Sequence, residues 1–409
     1  MSSDQVRDQY EEFPYPTRDP ADERRRLITG SPSHLAEINH YVFGGRLDFA
    51  QPFRALIAGG GTGDAAIMLA QQLSDADVPA EVVYVDLSTA SRAITEARAK
   101  ARGLSNIAFY TGSLLELRDF GEFDYIDCCG VLHHLPVPQE GFDSLARALK
   151  PKGGLGLMVY GELGRTGVYD AQAMLRDLAR EDETGPEKVA LAHKLLAGLP
   201  PSNRLRRNPL VNDHLSTDAG LYDLLLHSRD RAYKVPDLVA EIETAGLRVA
   251  SFIEPLRYDP ALYLRDKALL QRLDGRNTED RAGFAELLAG NMKKHIVYCV
   301  RSDNPDQTVA APVGPGAIPV LRDAPGPEFA GTMPPGAAFS ASLDGLDFSM
   351  PLPPLARDIL LLCDGRRSLD EIRKALPGAP DWFRFKPQFD AVYRPLNGFN
   401  KMLLRFPVS

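Results

Sequence analysis

From Phe53 onward the chain repeats one pattern, a short apolar strand, a tight turn and a helix, and this repeat most narrows what it can fold into. Arg54-Ala55-Leu56-Ile57-Ala58 is a strand, Gly59-Gly60-Gly61-Thr62-Gly63 a turn, and Asp64 through Leu73 a helix with Ala66, Met68, Leu69 and Leu73 apolar. Val82 through Val85 is the next strand, ending at Asp86, and Ser88 offers an N-cap to a helix through Arg102. Ile107–Tyr110 and Tyr125–Cys129 follow as strands. A helix around Phe142–Leu149 then leads through Pro151-Lys152-Gly153-Gly154 to a fifth strand, Leu155–Tyr160. Such alternation predicts an α/β fold, doubly wound around a mostly parallel sheet. Its continuous apolar strands predict burial on both faces.

Around this core the sequence divides further. Residues 1–52 read as an N-terminal arm or lid: Tyr10-Glu11-Glu12-Phe13-Pro14-Tyr15-Pro16 is expected to be extended, and His34–Tyr41 a short helix ended by Gly44-Gly45. A core domain spans 53–301, with a charge-rich helical insert at 162–235. After the insert, a helix from Pro236 to Ala245 and strands Leu247–Ile253 and His295–Val300 complete the sheet. Residues 302–340 have a linker's proline and glycine content, as in Val313-Gly314-Pro315-Gly316 and Met333-Pro334-Pro335-Gly336. Residues 341–409 read as a small, mainly helical accessory domain, with a helix at Leu355–Cys363 and a capping box at Ser368-Leu369-Asp370-Glu371.

Composition excludes some classes. A net charge of −8 gives no general attraction for phosphate backbones, so nucleic acid is disfavoured as a partner. The basic runs Arg24-Arg25-Arg26 and Arg204-Leu205-Arg206-Arg207 read as solvated faces. Cys128, Cys129, Cys299 and Cys363 lie in or near apolar segments and show neither a disulfide framework nor zinc spacing. The start, Met1-Ser2-Ser3-Asp4, lacks an apolar signal core, and no apolar stretch approaches a membrane span. The expected setting is cytoplasmic, with no membrane contact. The oligomeric state is not legible.

The chemistry begins at the first turn. Gly59, Gly61 and Gly63 let the backbone approach a ligand, and the following helix N-terminus supplies unpaired N–H groups. Asp86 ends the second strand, where a carboxylate can accept hydrogen bonds from ribose hydroxyls. Either feature alone also fits an ordinary turn or a helix cap. The spacing is G-x-G-x-G, whereas dinucleotide folds more typically show G-x-G-x-x-G.

As a set, these pieces resemble the class I S-adenosylmethionine-dependent methyltransferases, which are Rossmann-like. The matching segments are Leu56-Ile57-Ala58-Gly59-Gly60-Gly61-Thr62-Gly63, Val85-Asp86-Leu87-Ser88, Phe123-Asp124-Tyr125-Ile126, Gly130-Val131-Leu132-His133-His134-Leu135-Pro136 and Leu149-Lys150-Pro151-Lys152-Gly153-Gly154. The resemblance implies S-adenosylmethionine as cofactor. Gly59, Gly61 and Gly63 would line its methionine end and Asp86 would hold its ribose. Leu87, Ser113 and Leu114 would flank its adenine, with Gly130 and Val131 beside it. Two positions depart from many relatives: Ile57 replaces an acid two residues before the first glycine, and Ser113 replaces an aspartate near the adenine.

His133 and Tyr160 are the candidate catalytic residues, since both fall at the carboxyl edge of the sheet. An imidazole there could take a proton from an acceptor, whereas His134 reads rather as a loop-shaping residue. A sulfonium methyl is already electrophilic, so alignment and water exclusion suffice, and no metal-ligand cluster is evident. The expected reaction is methyl transfer to an oxygen, nitrogen or sulfur nucleophile of a protein or small molecule. Tyr10, Phe13 and Tyr15 could form an aromatic lid. Asn212-Asp213-His214, Tyr222-Asp223 and His227-Ser228-Arg229-Asp230-Arg231 could line a polar acceptor pocket or form a solvated face. A nicotinamide-dependent oxidoreductase and a non-catalytic binding protein on the same scaffold are the alternatives.

Overall fold

The computed structural model describes residues 3–331, 333, 336 and 338–407. Met1, Ser2, Pro334 and Pro335, used above in reading the terminus and the linker, lie outside the described residues.

Seven strands form the central sheet: β1 (Phe53–Ala58), β2 (Ala80–Asp86), β3 (Ile107–Thr111), β4 (Phe123–Cys129), β5 (Leu149–Tyr160), β6 (Leu247–Phe252) and β7 (Lys294–Arg301). Their order is β3-β2-β1-β4-β5-β7-β6. The first five run parallel, and β7 is antiparallel to both β5 and β6. The sheet is therefore doubly wound and mostly parallel, and the order reverses between β1 and β4. In open α/β sheets such a switch point opens a crevice at the strands' carboxyl ends.

Helices cover both faces: α1 (Ser3–Glu12), α2 (Leu35–Val42), α3 (Asp64–Asp75), α4 (Thr89–Arg102), α5 (Pro138–Arg147), α6 (Val168–Leu178), α7 (Gly185–Gly198), α8 (Asp218–Leu221) and α9 (Val235–Thr244) come in chain order. The period of two in the strands splits the core. Leu56, Val83, Val85 and Ile126 pack with Phe142 and Leu145 of α5 and Leu238 and Ile242 of α9. Ala55, Ile57, Val82 and Tyr84 pack on the other face with Ile38 of α2 and Leu69 and Leu73 of α3. Ile57, where an acid was weighed, is thus a fully buried core residue.

Two local expectations are corrected. Tyr10-Glu11-Glu12 is helical rather than extended, as the last turn of α1. Proline restricts only its immediate predecessor, here Phe13 and Tyr15, so the extended backbone begins later. Within the proline-rich stretch, Ile318–Leu321 forms β8, paired antiparallel with β11 (Met402–Arg405). A strand with one neighbour tolerates Pro319, which has no N–H to donate. A hairpin of β9 (Phe339–Leu343) and β10 (Leu346–Met350) follows. Helices Ala356–Leu362, Leu369–Ala375 and Trp382–Gly398 then build a separate core around Phe385, Phe389, Leu396 and Met402. The Ser368 capping box forms.

Candidate active site

The glycine turn sits at the switch point. Gly59, Gly61 and Gly63 all have positive φ, at 75°, 50° and 97°. Gly63 is also the point of closest approach to α4, because a Cβ there would lie 2.3 Å from Thr95 Cγ2. The carboxylate of Asp86 holds the turn: Oδ2 accepts from Gly61 N–H at 2.8 Å and Oδ1 from Ser88 N–H at 2.8 Å. Each oxygen keeps a further lone pair, so the carboxylate can still accept from ribose hydroxyls. Burial pushes the Asp86 carboxyl up, and the two N–H donors oppose that shift.

The other positions assigned to the cofactor converge here. Gly112 N–H donates to Asp86 O at 2.9 Å, which sets Ser113 and buried Leu114 next to Leu87. Val131 is the neighbour of Gly59 across the switch point, with its Cγ2 2.5 Å from where a Gly59 Cβ would stand. Gly130, at φ 80°, precedes it. These residues fit an S-adenosyl group: a positive-φ glycine turn, an acid at the ribose position and an apolar side chain for the adenine.

The N-terminal arm lies over this turn. Tyr10 O accepts from Ser88 Oγ at 3.1 Å, and Glu11 accepts from the N–H groups of Thr89 and Ala90 at the start of α4. Thr62 Oγ1 donates to Pro16 O at 2.7 Å. Arg18 pairs with Asp64 at 2.6 Å, and fully buried Arg98 joins Asp64 at 2.8 Å to Glu23 at 2.7 Å. Arg24, Arg25 and Arg26, just beyond, are exposed.

His133 and Tyr160 meet, with ring centroids 4.0 Å apart, because the short 3-10 turn Leu132–His134 after β4 folds beside the end of the adjacent strand β5. His133 is fully buried. Burial and the neighbouring His134, Arg165 and His227 hold its imidazole well below the ordinary range, so it is neutral. Burial pushes the Tyr160 hydroxyl well up.

The insert supplies residues that the sequence left between an acceptor pocket and a solvated face. Tyr222–Leu226 winds as one π-helical turn directly after α8 and carries Asp223 inward. Such turns recur at functional sites. Asp223 Oδ1 accepts from Tyr10 OH at 2.9 Å, and Oδ2 from Tyr160 OH at 3.1 Å. His227 stacks on His134 at 3.7 Å and lies 3.4 Å from Tyr10 OH. Arg165 sits 3.7 Å over the Tyr160 ring and pairs with Asp230 at 2.7 Å. Phe13 stacks on Tyr222 at 4.7 Å, so the aromatic arm and the insert close one chamber. Asn212 and Asp213 are exposed and His214 is half-buried. The signal that could have singled out Asp223 and Asp230 was their place on either side of Leu224-Leu225-Leu226-His227, lone acids bordering an apolar stretch that a solvated face would not carry.

Comparison with known proteins agrees with this geometry. Residues 56–155 match the family model described as a methyltransferase domain. An uncharacterized protein of a Synechococcus species is 31% identical over 260 residues, covering 62% of this chain and 61% of that protein. The chain thus spans about three-fifths of the length of this curated relative. The structure of PKMT2 from Rickettsia typhi in complex with AdoHcy superposes with a TM-score of 0.64 at 14% identity, covering 92% of this chain and 76% of that one. A second structure of PKMT2 gives 0.64 at 15% identity, covering 93% and 78%. The chain carries the class I S-adenosylmethionine-dependent methyltransferase fold. The family match falls on the segment where the methyl-transfer and dinucleotide readings competed, and it favours the first.

Proposed function

We propose that this protein is an S-adenosylmethionine-dependent methyltransferase whose acceptor reacts in the chamber between His133, Tyr160, Tyr10 and Asp223. The observation that carries the reading is the continuity of two sites. The Asp86-held glycine turn and the polar chamber share one roof, the arm through Tyr10. The complex of the similar PKMT2 fold with AdoHcy supports the choice of cofactor.

When bound, S-adenosylmethionine supplies an electrophilic methyl group. Gly59, Gly61 and Gly63 would face its methionine end, Asp86 its ribose, Leu87, Ser113 and Leu114 its adenine, and Gly130 and Val131 its flank. Because Tyr160 gives its proton to Asp223, its hydroxyl oxygen stays able to accept from an incoming O–H, N–H or S–H group, whereas the Tyr10 oxygen already faces His227 Nε2. That fixes the acceptor's orientation, which is most of what methyl transfer requires. The arm excludes water. His133, neutral and buried, is the candidate to take the acceptor's proton.

The acceptor is a protein or a small molecule. Residues 1–52 serve as the lid and 162–235 as the acceptor-site insert of the 53–301 domain. Residues 302–340 join it to the 341–409 accessory domain. Free, largely buried cysteines support a cytoplasmic site of action. Among the described residues, no helix is long and apolar enough to cross a membrane.

The test is AdoHcy release from S-adenosylmethionine with protein and small-molecule fractions of a cell extract as acceptor. Turnover that falls at least about tenfold in Tyr160→Phe supports the chamber as the reacting site. Tight cofactor binding without turnover in any fraction would favour the non-catalytic scaffold.

A further inference from the structure

The chamber holds a second kind of site. A nitrogen of His133, a nitrogen of His134 and a carboxylate oxygen of Asp230 lie within 4.8 Å of one another. His133 is 0% exposed, His134 6%, and the Asp230 side chain 0%. Among the described residues, no group hydrogen-bonds to His133 Nδ1, His133 Nε2 or Asp230 Oδ1. Leaving buried acceptors unpaired costs about 1–3 kcal/mol each, so a ligand able to take their lone pairs is favoured there.

The surroundings orient these atoms as metal ligands are oriented. His134 Nδ1 lies 2.7 Å from Arg229 O, so Nδ1 carries the proton and the lone pair is on Nε2. Asp230 Oδ2 accepts from Arg165 at 2.7 Å and from Gln172 at 3.1 Å, which fixes the carboxylate and turns Oδ1 to the other side. Arg231 N–H donates to His133 O at 3.2 Å and stitches the 227–233 segment to the turn after β4.

A neighbouring set, His134, Asp223 and His227, also comes within 4.8 Å but does not qualify. Asp223 is already oriented by two tyrosine hydroxyls, one on each oxygen, and the set fails at its second imidazole. His227 Nδ1 accepts from Arg229 N–H at 3.0 Å, which puts the proton on Nε2.

We propose that His133, His134 and Asp230 form a binding site for a divalent transition-metal ion that favours imidazole, with zinc as the representative. Two imidazoles and one carboxylate suit such ions, whereas magnesium and calcium prefer all-oxygen sites. Zinc ligands sit about 2.0–2.2 Å from the ion, so the three atoms draw together on binding. Among the described residues no group hydrogen-bonds to the ring nitrogens of His133, whose ring is held by packing against Tyr160 and His134. Three protein ligands leave the fourth position of a tetrahedral ion open beside Tyr160. Asp223, next to the shared His134, adds a negative charge to the chamber. The site shares His133 with the proposed acceptor chamber, but metal binding is argued from the ligand atoms alone and can fail without the methyl-transfer reading failing.

The test uses the full chain, stripped with a chelator and dialysed. Zinc titration by calorimetry and cobalt titration by its visible absorption should each show a single equivalent bound with sub-micromolar affinity, and the cobalt bands of a site with nitrogen ligands. His133→Ala should weaken binding at least about tenfold. Its ring nitrogens make no hydrogen bond among the described residues, so this variant should melt cooperatively. His193→Ala, an exposed histidine, should bind as the unaltered protein does. No saturable binding at a hundred-micromolar free zinc, or binding unmoved by His133→Ala in folded protein, overturns the proposal. Cofactor titration of the same stripped sample separates this failure from failure of the methyltransferase reading.

Discussion

The hydroxyl of Tyr10 lies 2.9 Å from Oδ1 of Asp223, a residue 213 positions later in the chain. The contact joins the N-terminal arm to the insert over the crevice at the sheet's switch point. It should act as a latch. Tyr10→Phe removes the donor and leaves one buried carboxylate oxygen short of a partner. We expect a loss of about 1 kcal/mol in urea unfolding. Limited proteolysis should also cut faster within residues 10–26. Unchanged stability and unchanged cleavage would mean that the arm is held elsewhere.

Two glycines separate backbone strain from steric exclusion. Gly103 ends α4 at φ 72° with nothing within 4 Å of a Cβ, so Gly103→Ala should cost only about 1 kcal/mol. Gly63 has φ 97° and meets Thr95 at 2.3 Å, so Gly63→Ala should cost more than about 2 kcal/mol. Gly63→Ala should also weaken cofactor binding, which Gly103→Ala should leave intact. Equal costs in denaturant unfolding would contradict the close packing of the turn on α4.

Acid stability should carry the mark of His40. Burial depresses its imidazole to about 4, and Leu404 N–H donates to its Nδ1 at 2.9 Å, a bond that protonation breaks. The unfolded chain, near 6.5, then binds the proton more readily than the folded one. The stability tied to the neutral ring is therefore full above about pH 6.5 and is lost as pH falls towards about 4, by up to ~1.4 kcal/mol per pH unit. His40→Gln should flatten the pH dependence of the urea midpoint in that window. A parallel pH dependence in both proteins would contradict it.

Local signals carried the core of the fold. The glycine turn is read from its own five residues, and Asp86 and the Ser88 cap, two positions apart, from the strand end and helix start that they join. His133 and Tyr160 were legible together because the turn just after one buried strand lies beside the end of the next. Asp223 and Asp230 were not singled out, since they reach the site only through the tertiary packing of the insert. Their polar run looked the same as a solvated face. The metal-ligand grouping escaped for the same reason, as Asp230 lies far along the chain from His134. In the proline-rich stretch, Pro319 masked β8, whose partner β11 lies near the other end of the chain.

The most direct test of the central claim is calorimetric titration with S-adenosylmethionine of protein shown free of co-purified ligand, alongside Asp86→Ala and an NADH control. The account predicts micromolar binding of S-adenosylmethionine, at least about tenfold weaker in Asp86→Ala, and no binding of NADH. No binding of S-adenosylmethionine by the unaltered protein, or equal binding by the variant, would contradict it.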